Sequence, residues 1–132
     1  MSEKVLLVDD EKDLLEAVAE RMRLLGIDVS TSSTPHNALK KVKKENYDAI
    51  ILDLTMPGMG GFSTLKAIKK LNPDLQVIIL TANATTSMSK EAKKLGAMDL
   101  MEKPADLNKL LKKVRKARKI RKGQQKAVRH KN

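Results

Sequence analysis

The sequence predicts an α/β protein: a five-stranded parallel sheet with five helices on its two faces. Three observations predict it. Short apolar runs, Val5-Leu6-Leu7-Val8, Ile50-Ile51-Leu52 and Val77-Ile78-Ile79-Leu80, show no polar alternation and read as strands buried on both sides. Segments with helical spacing separate them. The runs then end directly in polar groups: Asp9-Asp10-Glu11, Asp53, Thr81 and, after 97–101, Glu102-Lys103.

Residues 5–8 are the first strand, β1. Leu14, Leu15, Val18, Met22 and Leu25 recur at helical spacing over 13–25 (α1), and Gly26 is its C-cap. The β-branched segment 27–32 is β2. Pro35 opens α2 at its first turn, with Ala38, Leu39 and Val42 as the apolar face. The central strand β3 covers 49–53 and is stopped by Pro57-Gly58. Phe62, Leu65, Ile68 and Leu71 give α3 its inward face, and Asn72-Pro73-Asp74 is a turn into β4 over 75–80. Residues 84–95 form a weak α4, with only Met88, Ala92 and Leu95 apolar, ended by Gly96. Residues 97–101 form β5. Asp106 caps α5, which turns Leu107, Leu110, Leu111 and Val114 inward.

The composition narrows the function. With no cysteine, disulfides and thiolate metal sites are excluded, and His36 and His130 lie too far apart in sequence to suggest a zinc pair. No apolar run approaches the ~18–20 residues that span a bilayer. The apolar start is broken at once by Asp9-Asp10-Glu11, unlike a signal peptide, so a cytoplasmic protein is expected. The net charge of +11 is not spread evenly. Residues 1–108 hold 15 Lys and Arg against 16 Asp and Glu, a balance of −1; residues 109–132 hold 12 Lys and Arg and no acid.

In a parallel sheet all carboxyl ends face one edge, so Asp9, Asp10, Asp53, Thr81 and Lys103 can meet there. Three carboxylates in one pocket repel each other unless a cation joins them. An all-oxygen acidic set suits Mg²⁺ or Mn²⁺. Lys103 can pair with Asp53 or with a phosphoryl oxygen, Thr81 can donate its hydroxyl, and a carboxylate beside a metal can take a phosphoryl group. Taken singly each residue has a plainer meaning. The acidic triplet would suit a following helix N-terminus, and Thr81 and Lys103 would be ordinary strand and turn residues. Their coincidence on one edge argues for the site.

Four motifs in order, Val8-Asp9-Asp10-Glu11, Leu52-Asp53-Leu54-Thr55-Met56-Pro57-Gly58-Met59, Ile79-Leu80-Thr81-Ala82 and Glu102-Lys103-Pro104, make residues 4 to about 118 resemble the receiver domain of two-component response regulators. The resemblance implies a flavodoxin-like strand order 2-1-3-4-5. It implies that Asp53 accepts a phosphoryl group from the phosphohistidine of a sensor histidine kinase. Asp10, Asp53 and the Thr55 carbonyl would ligate Mg²⁺ (or Mn²⁺), Asp9 acting mainly through a bound water. Thr81 would be the switch and Lys103 the phosphoryl contact, with a cis bond to Pro104. Such a protein is a cytoplasmic signalling phosphoprotein rather than an enzyme; it catalyses only its own phosphotransfer and autodephosphorylation. Its α4-β5-α5 surface would bind a downstream target protein or, as in some receivers, form a homodimer.

Three positions depart from the family pattern or leave it silent. Leu100 stands where most receivers carry Tyr or Phe, so a ring switch is absent. Thr55 and Asn83, at positions that tune dephosphorylation, offer no acid or base. The charge break and the end of the apolar stripe divide the chain into a receiver over 1–118 and a basic tail over 119–132, expected to be helical to Arg121 or Lys122, stopped at Gly123 and then disordered. No DNA-binding fold fits after it, so either a stand-alone receiver or part of a longer regulator is expected. The tail is read first as a solvated charge run and second as a contact for nucleic acid, an acidic protein or anionic lipid. A dehalogenase-type phosphatase would need an acid at Thr55, and a dinucleotide site would need glycines in place of Asp9-Asp10-Glu11.

Overall fold

The computed structural model describes residues 2–54 and 60–131, with side chains to 124. The elements alternate strictly: β1 Lys4–Val8, α1 Lys12–Leu24, β2 Asp28–Ser32, α2 Pro35–Lys44, β3 Ala49–Asp53, α3 Gly61–Leu71, β4 Gln76–Thr81, α4 Thr86–Lys94, β5 Asp99–Glu102 and α5 Leu107–Lys131. The strands form one sheet in the order β2-β1-β3-β4-β5, every pair parallel. The order expected from the resemblance is therefore the order found.

The apolar runs divide by pleat parity into two cores. Leu6, Val8, Ile50, Leu52, Val77 and Ile79 face α2, α3 and α4. Val5, Leu7, Ala49, Ile51, Ile78 and Leu80 face α1 and α5. Both faces are covered, which is why these strands carry no polar alternation.

Local signals act as the sequence suggests. The Gly26 amide donates to Arg23 O and the Ile27 amide to Met22 O, with Gly26 at φ 89°. This is a Schellman end, and Gly96 (φ 98°) closes α4 in the same way. Thr34 and Thr85 cap α2 and α4 by accepting from the amides of Asn37 and Met88. Asp106 accepts from the amides of Asn108 and Lys109, as its reading as a cap required.

One inward assignment is corrected: Leu71 is 43% exposed, and of the residues at helical spacing in 13–25, Leu14 and Leu25 are 42% and 50% exposed. A helix on a sheet buries only one stripe, and Leu15, Ala19 and Met22 already fill that of α1. Leu71 sits in the last turn of α3, past Leu65 and Ile68, which reach the core.

The largest difference is α5, which passes through Gly123 and continues to Lys131. A glycine inside a helix costs about 1 kcal/mol relative to alanine, which weakens a helix without stopping it. It works as a stop when it adopts a positive φ, and Gly123 does not. Among the described residues no helix is long and apolar enough to cross a membrane.

Candidate functional site at the carboxyl edge of the sheet

Strand register brings the polar residues together. Val8 pairs with Leu52, Asp53 with Leu80, and Thr81 with Glu102, so the ends of β1, β3, β4 and β5 form one ledge. Pleat parity then sorts the side chains. Asp53 follows Leu52 and so falls on the α1/α5 side, while Thr81 follows Leu80 and falls on the α4 side.

Asp53 is 2% exposed and Thr81 1% exposed; Asp9 is buried and Asp10 is exposed. One carboxylate oxygen each from Asp9, Asp10 and Asp53 lies within 4.8 Å of the others. The donors are all hard oxygens, and three anions at this spacing need a positive partner. The set fits a small divalent cation such as Mg²⁺. The expected carbonyl of Thr55 lies outside the described residues.

Lys103 supplies part of the positive charge. Its Nζ is 2.9 Å from Asp9 Oδ2 and 3.3 Å from Asp53 Oδ2. Burial works against the ammonium, but the hydrogen bond to Asp9 and the attraction of Asp53 outweigh it and hold the Lys103 pKa above its ordinary value. The sequence pointed to Asp53 as the acid beside Lys103; the shorter contact is with Asp9. The Lys103-Pro104 bond is cis, as the resemblance implies. Asp9 is fixed from the other side by the Glu11 amide, which donates to Oδ1 at 3.1 Å.

The Thr81 hydroxyl accepts from the Asn83 amide at 3.4 Å. Sequence reasoning missed Glu102. Its Oε1 accepts from the Ala84 amide at 3.3 Å, tying the loop after Thr81 to the residue before Lys103. The signal was present, an acid at a strand end, but its partner is a backbone group 18 residues away in sequence. Gly61 was also passed over. A Cβ there would lie 2.4 Å from the Leu54 carbonyl oxygen, so only glycine lets the start of α3 approach the chain leaving Asp53.

An apolar cleft of about 420 Å³ opens beside Asp9 and Lys103, between α1 and the start of α5. Leu14, Val18, Pro104 and Leu107 line it, which accounts for the exposed Leu14.

Comparison with known proteins agrees with this geometry. The family model for the response regulator receiver domain matches residues 5–115. Sporulation initiation phosphotransferase F of Bacillus subtilis is 34% identical over 116 residues, 88% of this chain and 94% of that protein. The transcriptional regulatory protein ZraR of Salmonella typhimurium is 34% identical over 113 residues, 86% of this chain. Only about a quarter of ZraR's length (26%) is spanned. Among solved structures, the receiver domain of the Francisella response regulator 1452 superposes with a TM-score of 0.83 at 33% identity, covering 89% of this chain and 98% of that one. Motifs, strand order and relatives agree, and the chain belongs to the response regulator receiver domain family.

Proposed function

We propose that Asp53 is the phosphoacceptor of a phosphorylation-controlled switch. The supporting observation is a buried carboxylate at the end of the central strand, flanked by Asp9, Asp10 and the Lys103 ammonium. An Asp53 oxygen attacks phosphorus, the P–N bond of a sensor kinase's phosphohistidine breaks, and its electron pair stays on the imidazole nitrogen. Asp9, Asp10 and Asp53, with the Thr55 carbonyl, would hold Mg²⁺. When bound, the ion supplies positive charge against the phosphoryl oxygens. Lys103 adds its own charge to one oxygen, and Thr81 offers its hydroxyl to another.

The acyl phosphate carries about −1.5 to −2 charge in place of the carboxylate's single charge, and presents three acceptor oxygens. Thr81 and Lys103 satisfy these by moving inward, carrying the loops after β4 and β5. Of α4, only Ala92 is fully buried, so this helix is the lightly held part that can follow. The changed α4-β5-α5 surface then binds a downstream protein, with Leu100 packing in place of an aromatic ring.

The test is an intact mass after incubation with acetyl phosphate and Mg²⁺. One phosphoryl adduct is expected, and none in Asp53→Asn, which retains side-chain volume. A variant labelled at the wild-type rate would overturn the assignment.

A further inference from the structure

The positive charge on α5 is sorted. Arg121 Nη1 lies 2.9 Å from Asp48 Oδ1, Arg115 reaches Glu3 at 3.8 Å, and Arg118 is not free either. Lys113 pairs with Asp99. Arg121, Arg115 and Lys113 are thus paired with acids outside the helix. Lys109, Lys112, Lys116, Lys119 and Lys122 are all exposed, and the ion pairs among the described residues engage none of them.

At 3.6 residues per turn, Lys109, Lys112, Lys116 and Lys119 fall within an arc of about 80°, while Lys122 lies about 60° further round, at the margin of the buried side. The buried stripe of Leu110, Leu111, Val114 and Ala117 lies opposite. These four lysines form a line about 15 Å long. Neighbours three and four apart repel, and no acid lies on the helix to offset them.

The chemistry of this face selects its partner. A protein interface centres on apolar or aromatic anchors, and none of the exposed large hydrophobic residues described lies on α5. A lipid surface needs an apolar face to insert, and that of α5 is spent on the sheet. A nucleic-acid duplex needs neither. It carries one charge per about 1.7 Å of axis and binds cations through phosphate alone. Without aromatic residues on this face, base stacking plays no part. We propose that the lysine face of α5 binds the phosphate backbone of duplex nucleic acid without reading its sequence.

The experiment is fluorescence anisotropy of a labelled 20-base-pair duplex with the full chain across a salt series. Four phosphate contacts give a log–log salt slope of about −3.6, or roughly 150-fold weaker binding between 50 and 200 mM salt. Lys112→Gln/Lys116→Gln/Lys119→Gln should weaken binding and bring the slope to about −1. Lys40→Gln/Lys43→Gln/Lys44→Gln on α2 removes the same charge elsewhere and should leave the slope unchanged. Equal losses in the two triple variants, no binding at 50 mM salt, or tighter binding to polyglutamate or phosphatidylserine vesicles than to the duplex would overturn the proposal. Helical circular dichroism confirms that each variant is folded.

Discussion

Lys103 hydrogen-bonds Asp9, 94 residues away in sequence, at 2.9 Å, closer than its 3.3 Å approach to Asp53. If Asp53 is the phosphoacceptor as proposed, a phosphoryl group there would compete with Asp9 for the ammonium. In Asp9→Asn that partner loses its charge, so the Lys103 pKa should fall below its wild-type value. Nuclear magnetic resonance titration of the Lys103 Cε resonance reads this directly; an unchanged midpoint would show that Asp9 is not what raises it.

Lys103→Ala removes the cation while leaving the three carboxylates in place. Mg²⁺ affinity should persist or rise, because a competing positive charge is gone. The conformational response to acetyl phosphate, followed by amide exchange in α4, should be lost. A normal response would remove the role given to Lys103.

Gly61→Ala places a methyl group 2.4 Å from the Leu54 carbonyl oxygen, a backbone atom that cannot rotate aside. The start of α3 or the chain after Asp53 must shift, at a cost of about 1–3 kcal/mol. Urea unfolding should show a lower midpoint. Gly60→Ala, with nothing near its added Cβ, should not.

Asp99 gives a pH signature. Burial opposes its charge, but hydrogen bonds from Lys113 and the Leu100 amide outweigh this and hold its pKa below the ordinary 3.8. A depressed carboxylate contributes stability that is present above 3.8 and lost as pH falls through the folded value. Lys113→Met should therefore flatten the acid limb of a stability–pH curve below about pH 4 and leave the region near pH 8–9 flat. An unchanged acid limb would rule the pair out as its source.

Much of this was legible in the sequence because burial on both faces leaves a simple mark. A run such as Val77-Ile78-Ile79-Leu80, too short for a helix and bounded by turn residues, reads as a covered strand, and a polar residue straight after it falls at the sheet's edge. Shared direction then placed Asp9, Asp53, Thr81 and Lys103 together. What escaped needed three dimensions. The preference of Lys103 for Asp9, and the reach of Glu102 to the Ala84 amide, depend on which strands are neighbours. Periodicity identified α1 but did not tell its buried apolar residues from Leu14 and Leu25, which are about half exposed. Gly123 misled because a glycine marks a helix end through its dihedral angle, which composition does not record.

The alternation of the pleat has one more consequence. Asp9, Asp53 and Lys103 fall on the side of α1 and α5, whereas Thr81 falls on the side of α4. A group seated at this ledge would border both layers of helices, so a single event at one edge of the sheet has a route to each of its two faces.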